Sequence, residues 1–145
     1  MSGLLRKLFG PRRQPVQEVD HPILGTLSYD RESESWGKRM TLADQELRFS
    51  VSGEFEPDPV LLEQAATLQA KLPRLLADLP AFLEHEAIQA RELATEIRSL
   101  KIEDVAVWWP KQPEAVMIWF KGPSDERTWH CSYANGKLDA LVYDC

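Results

Sequence analysis

Cysteine is scarce in this chain of 145 residues: it has two, Cys131 and Cys145. Two thiols left unpaired fit a reducing compartment. Long apolar runs are missing as well; the longest are a few residues, against the roughly 20 that carry a helix across a bilayer. The start, MSGLLRKLFGPRRQP, has no apolar core of the about 7 to 15 residues a secretory signal needs, so a cytoplasmic address is expected. Ser2 stands where N-myristoylation requires glycine. The seven glycines form neither a Walker loop nor a G-x-G-x-x-G turn, which leaves nucleotide binding without support. Histidine is equally sparse. HEAIQ, His85 to Gln89, has Gln89 where the H-E-x-x-H pattern places its second zinc ligand, and reads as a surface helix segment.

What is present is an uneven charge. Arg6, Lys7, Arg12 and Arg13 give the first fifteen residues +4, leaving −10 on the rest of a chain whose total is −6. An acidic body repels phosphate backbones, which disfavours nucleic-acid binding by the folded part and suits a basic partner. The basic head, with Leu4, Leu5, Leu8 and Phe9, makes a marginal anchor for anionic lipid; residues 1–20 are expected to be a flexible basic tail capable of weak membrane contact. A single α+β domain is expected over 21–145.

Within that domain, ILGTLSYD, WGKRMTL and ELRFSVS alternate apolar and polar residues with period two, placing Ile23, Leu27 and Tyr29, then Trp36, Met40 and Leu42, then Leu47, Phe49 and Val51 on one face. From EPDPVLLEQ the period becomes helical. Asp58 is placed to cap, Pro59 fits the first helical position, and Leu61, Ala65, Leu68, Leu72, Leu75 and Leu79 form an apolar stripe. Pro73 and Pro80 divide the run to about Leu100 into two helices, with Phe82, Leu83, Ala90, Leu93, Ile97 and Leu100 continuing the buried face. VAVWW, AVMIWFK, RTWHCSYA and KLDALVYD then return to strands. The expected architecture is α+β: an antiparallel sheet of about seven strands, ordered as three strands, two helices and a four-strand meander, with the helices on one face.

The terminal stretch WHCSYANGKLDALVYDC places His130, Cys131, Ser132 and Asp139 close in sequence and so raises a metal or catalytic reading. Asn135-Gly136 between alternating runs signals a type I′ hairpin, which pairs Ala134 with Lys137, Ser132 with Asp139, Cys131 with Ala140, His130 with Leu141 and Trp129 with Val142. His130 and Cys131 then point to opposite faces and cannot share a metal ion. Cys145 falls roughly 17 Å along the strand from the partner of Cys131 at about 3.4 Å per residue, so no intrachain disulfide forms. The carboxylate lies opposite the serine, with histidine diagonal to both, which is the wrong order for a proton relay; a Ser132–Asp139 cross-strand hydrogen bond is the expectation. No catalytic residue, metal ligand or cofactor is assigned.

Aromatic residues are the informative surplus. With Val105, Val107 and Trp109 facing the helices, Trp108 points away; with Val116, Ile118 and Phe120 facing them, Met117 and Trp119 point away. Trp108, Trp119, His130, Leu141 and Tyr143 would then form a band on the far face of the sheet, an interaction surface unless the sheet curls to cover it. A protein partner, or a second copy of the chain in a homodimer, would cover such a patch.

HPILGTLSYD, IRSLKIEDVAVWWP and RTWHCSYANGKLDALVYD together resemble bacterial domain-of-unknown-function families, uncharacterised cytoplasmic α+β proteins some of whose members are suspected toxin-immunity proteins. The resemblance spans roughly residues 21 to 145 and implies no catalytic residues. The leading expectation is a non-enzymatic, acidic protein-interaction module of the immunity type, holding a basic toxin. The alternative is a small-ligand-binding protein or enzyme with a pocket between helices and sheet, served by Glu103 or Asp104.

Overall fold

The computed structural model describes residues 17–145. The segment on which the lipid-contact expectation and most of the expected tail fall, residues 1–16, lies outside the described residues. Eight strands form one sheet: β1 Glu18–His21, β2 Gly25–Asp30, β3 Ser35–Leu42, β4 Gln45–Ser52, β5 Lys101–Val107, β6 Val116–Lys121, β7 Thr128–Ala134 and β8 Lys137–Asp144. They are neighbours in chain order, with β1 and β8 at the edges. The strand absent from the sequence reading is β1, whose Glu18 pairs with Ser28 and Asp20 with Thr26 inside the segment expected to be tail. Beside it, Ile23 leaves the expected face for a turn and is 61% exposed, while Leu24 is buried in its place.

All neighbouring pairs are antiparallel except one. Strands β4 and β5 run parallel, Arg48 beside Asp104 and Ser50 beside Ala106. A parallel pair needs a crossover, and the helical segment between these strands supplies it. The helices are α1 Pro59–Gln69, α2 Leu72–Gln89 and α3 Ala94–Arg98, with a 3-10 turn at Arg91–Leu93. Asp58 caps α1 by accepting from the amides of Val60 at 2.9 Å and Leu61 at 3.2 Å, with Pro59 at the first position where its missing amide is no loss. The break between helices falls at Ala70–Lys71, so Pro73 sits in the first turn of α2; Pro80 does not interrupt α2. Burial of Leu75, Leu79 and Leu83 around that proline holds the helix through its lost hydrogen bond.

The helices cover one face of the sheet. Leu61, Ala65, Leu68, Leu72, Leu75 and Leu79 belong to a single buried cluster with Leu47, Phe49, Val51, Val105, Val107 and Ile118. Lys38 reaches through this side to the carbonyl of Leu24 at 2.5 Å and to the side-chain oxygen of Gln69, tying β3 to the end of α1. Two tryptophans lie on the helix face with their N–H groups bonded: Trp36 donates to the carbonyl of Gly53 at 3.1 Å and Trp129 to Glu96 at 2.5 Å. Trp109, expected in that core, stands beyond the end of β5 and is 39% exposed.

The final hairpin turns at Asn135 and Gly136, both at positive φ, and keeps the expected pairs Ala134–Lys137 and Ser132–Asp139. Beyond them the register slips by one. His130 pairs with Val142 and Trp129 with Tyr143, with a bulge between His130 and Ser132. Ala140 takes the left-handed conformation, φ 59°, and its amide donates to its neighbour Asp139 at 2.8 Å. One extra residue in β8 moves everything after it to the other face. Leu141 therefore packs toward the helices, and the Tyr143 ring lies 4.9 Å from Trp129.

Candidate functional site

The face of the sheet turned away from the helices carries the second residue of each alternating pair: Arg48 and Ser50 from β4, Asp104 and Ala106 from β5, Met117 and Trp119 from β6, His130 and Ser132 from β7. The parallel β4–β5 pairing sets Arg48 and Ser50 beside Asp104 at the middle of an eight-stranded sheet, where water is excluded. Ser50, Ala106 and Ser35 are each 0% exposed. Polar groups at such positions need partners, and these have them. The Ser50 hydroxyl lies 3.0 and 3.2 Å from the two oxygens of Asp104, and the Arg48 guanidinium lies 3.4 Å from Asp104 Oδ2. The same guanidinium donates to the Ser35 hydroxyl at 3.0 Å and its carbonyl at 3.4 Å. Ser35 and Ser33 hydroxyls are 2.6 Å apart, and Ser33 donates to Asp30 at 2.8 Å. A continuous polar chain thus runs from Asp30 to Asp104.

Gly37 makes room for it. A Cβ at that position would lie 2.7 to 2.8 Å from the guanidinium atoms of Arg48, so the arginine can lie over β3 only because residue 37 lacks a side chain.

Loss of water around the Asp104 carboxyl outweighs the attraction of Arg48 and the hydrogen bond from Ser50, and pushes its pKa up to about 6. Asp30 is held below the usual carboxylate range, chiefly by the Ser33 hydrogen bond. These groups line a cleft of about 310 Å³ together with Arg39, Glu103, Trp108 and Trp119.

The aromatic wall of the cleft is a row. Trp108 and Trp119 have ring centroids 6.0 Å apart at 46°, and the His130 ring lies 4.9 Å from Trp119. All three are half-buried, neither open to water nor sealed as a second core. The indole nitrogens of Trp108 and Trp119 are shut off from solvent and have no hydrogen-bond partner among the described residues. No family model, curated protein or solved structure matches the chain.

Of the five residues expected to form the band, the structure brings Trp108, Trp119 and His130 together and places Leu141 and Tyr143 on the opposite face. The bulge at Ala140 is the reason, and Val142 takes the position across from His130. Leu141 and Tyr143 instead line a groove of about 490 Å³ with Ala90, Leu93, Ile97 and Trp129, between the helical segment and the sheet edge. This groove is mostly apolar, and the carboxyl with the raised pKa is not in it. Of the two acids named for a pocket between helices and sheet, Glu103 is exposed at a bulge in β5, and Asp104 faces the cleft on the other side.

His130, Ser132 and Asp139 form no relay. The His130 Nε2 lies 3.1 Å from Asp144, not from Ser132, and the expected Ser132–Asp139 cross-strand hydrogen bond is present, the hydroxyl donating to the main-chain carbonyl of Asp139 at 3.2 Å. Cys131 is buried and Cys145 exposed, both as free thiols. No group of three or more potential metal ligands occurs among the described residues. No helix among them is long and apolar enough to cross a membrane.

Sequence reasoning missed the Arg48–Ser50–Asp104 network. The polar side of ELRFSVS reads equally well as a solvated face, and only pairing with β5 makes it interior. Gly37, a glycine inside a strand pattern, was the available signal.

Proposed function

We propose that this chain is a non-enzymatic binding module that holds a basic protein partner on the sheet face opposite its helices, as a toxin-neutralising protein of the kind its sequence resembles. The observation that carries this reading is the half-buried row of Trp108, Trp119 and His130 beside a cleft whose Asp30 and Glu103 carboxylates form no ion pair among the described residues. Aromatic anchors in a partly desolvated setting dominate binding energy at interfaces, and surrounding negative charge steers a basic partner toward them. The acidic balance of the body supports the same choice of partner.

The test is recovery of a partner by the full chain from its host, followed by binding with purified components. The reading requires a basic partner whose association slows as salt rises and whose affinity falls at least about thirtyfold with Trp108→Ala and with Trp119→Ala, the range of an interface hot spot. A complex indifferent to both substitutions and to salt would refute it.

A second reading, a small-ligand protein or enzyme, draws on Asp104, whose raised pKa within a cleft is the property of a proton-transferring carboxyl. It requires turnover or ligand binding that follows ionisation near pH 6 and disappears in Asp104→Asn.

A further inference from the structure

The polar groups of the cleft that are not spent on one another fall into two sets. Arg48 is occupied by Asp104 and Ser35, and Arg39 leans to Glu46 at 3.7 Å. That leaves as acceptors the Glu103 carboxylate and the remaining lone pairs of Asp30, which already accepts from Ser33 at 2.8 Å but forms no ion pair among the described residues, and as donors the indole N–H groups of Trp108 and Trp119, which have no partner among them. The two indole rings pack against each other, with centroids 6.0 Å apart and planes tilted by 46°, and together form one wall of the cleft.

Three kinds of ligand can be weighed against this set. A bare cation would suit the carboxylates and the ring faces but leave both indole N–H groups unbonded. A carboxylate would accept from the indoles but meet Asp30, Glu103 and Asp104. A peptide carrying arginine or lysine supplies both needs at once: carbonyl oxygens for the two N–H donors, and a cation for the carboxylates and the aromatic faces. Resting on the partner-surface reading above, we propose that the cleft is the receptor for a basic peptide segment, with one arginine or lysine side chain between Trp108, Trp119 and the Asp30–Glu103 carboxylates, and its flanking carbonyls accepting from the indole N–H groups. Because both nitrogens are closed to solvent in the free protein, binding turns the edges of these two rings into the cleft. Their resonances report it directly.

The experiment uses the full chain labelled with ¹⁵N, its indole resonances assigned with Trp108→Phe and Trp119→Phe, and titrated with N-acetylarginine N-methylamide. Controls are the glutamate counterpart, guanidinium chloride and glucose. The arginine amide should move the Trp108 and Trp119 indole protons downfield to saturation while those of Trp36 and Trp129 stay in place. Glu103→Gln should weaken it roughly two- to fivefold, the upper range of one exposed ion pair. Guanidinium should bind more weakly and the glutamate amide not at all. Unmoved indole resonances, equal binding of the glutamate amide, or saturation by glucose alone would overturn the proposal, the last marking a polyol site. A partner that binds this face without moving either indole leaves the partner-surface reading standing and removes this one. Saturation by the arginine amide with no partner on the face does the reverse.

Discussion

Replacing Asp104 by asparagine tests the central electrostatic claim, because two opposed effects act on that carboxyl and they predict opposite pH dependence. Arg48, 3.4 Å away, favours the ionised form, while burial favours the neutral one. The structure makes burial the larger, raising the pKa from 3.8 to about 6. A native state that binds the proton more tightly than the unfolded chain loses stability as pH rises through the interval between the two values. The Asp104 contribution is therefore fully present below about pH 4, declines between about 4 and 6, and is constant above; the difference between the two pKa values corresponds to roughly 3 kcal/mol. Asparagine stays neutral at every pH. Urea unfolding of wild type and Asp104→Asn at a series of pH values from 4 to 7 isolates this group, since other titrations cancel in the difference. The wild type should lose roughly 3 kcal/mol relative to the variant as pH rises across that interval. A difference that is flat, or that favours the wild type at higher pH, would mean the Arg48 ion pair prevails over burial and would refute the reasoning.

Three further outcomes follow from the packing. Gly37→Ala pushes the Arg48 guanidinium off β3 and should cost about 1–3 kcal/mol, most of which should vanish in an Arg48→Ala background; a full effect in that background would place the strain elsewhere. Deleting Ala140 should leave the protein folded and within about 1 kcal/mol of the wild type, because every pair beyond the bulge already has the register a regular hairpin would then give it; loss of the Trp129–Tyr143 contact in the deletion variant's structure would contradict this. Burial pushes the Cys131 thiol up to about 12, so iodoacetamide should label Cys145 alone in the native protein and both cysteines in denaturant, as read by mass spectrometry; native labelling of Cys131 would mean the helix face opens.

The sheet and helices were legible where one period persists. Leu61 through Leu79 kept helical spacing and are all buried, and Leu47, Phe49 and Val51 alternated and lie in the core. Element existence followed from these patterns, but direction did not. That β4 and β5 pair in parallel depends on how the intervening helices return the chain, which no local pattern encodes, and the fate of Arg48, Ser50 and Asp104 hangs on that pairing. The bulge was hidden for a different reason. In KLDALVYD, the alternation Leu138, Ala140, Val142 and the alternation Leu141, Tyr143 both offer an apolar face, and the turn at Asn135-Gly136 favours the first. The structure uses Leu138 before the bulge and the bulkier Leu141 and Tyr143 after it, with Leu141 packed against the core and the Tyr143 ring against Trp129. The extra residue is accommodated at Ala140, which carries the Cβ penalty of the left-handed conformation but not the further crowding that a β-branched residue such as Val142 would meet there.

Tryptophan at positions 108 and 119 is the choice that stability does not explain. On the helix face, Trp36 and Trp129 each give their N–H a partner, as a buried indole requires. On the other face neither does among the described residues, and an unbonded buried donor costs about 1–3 kcal/mol, a large share of the roughly 5–15 kcal/mol by which a domain is stable. Phenylalanine would keep much of the ring packing and remove the donor. Trp108→Phe and Trp119→Phe should therefore leave the urea-unfolding free energy unchanged or raise it by up to about 1 kcal/mol, while lowering affinity for whatever occupies the cleft. If either variant instead loses more than about 2 kcal/mol, the indole is there for packing and the N–H carries no argument for a ligand. If both hold their stability and lose binding, the penalty borne by the free protein is the cost of a site kept ready for an acceptor.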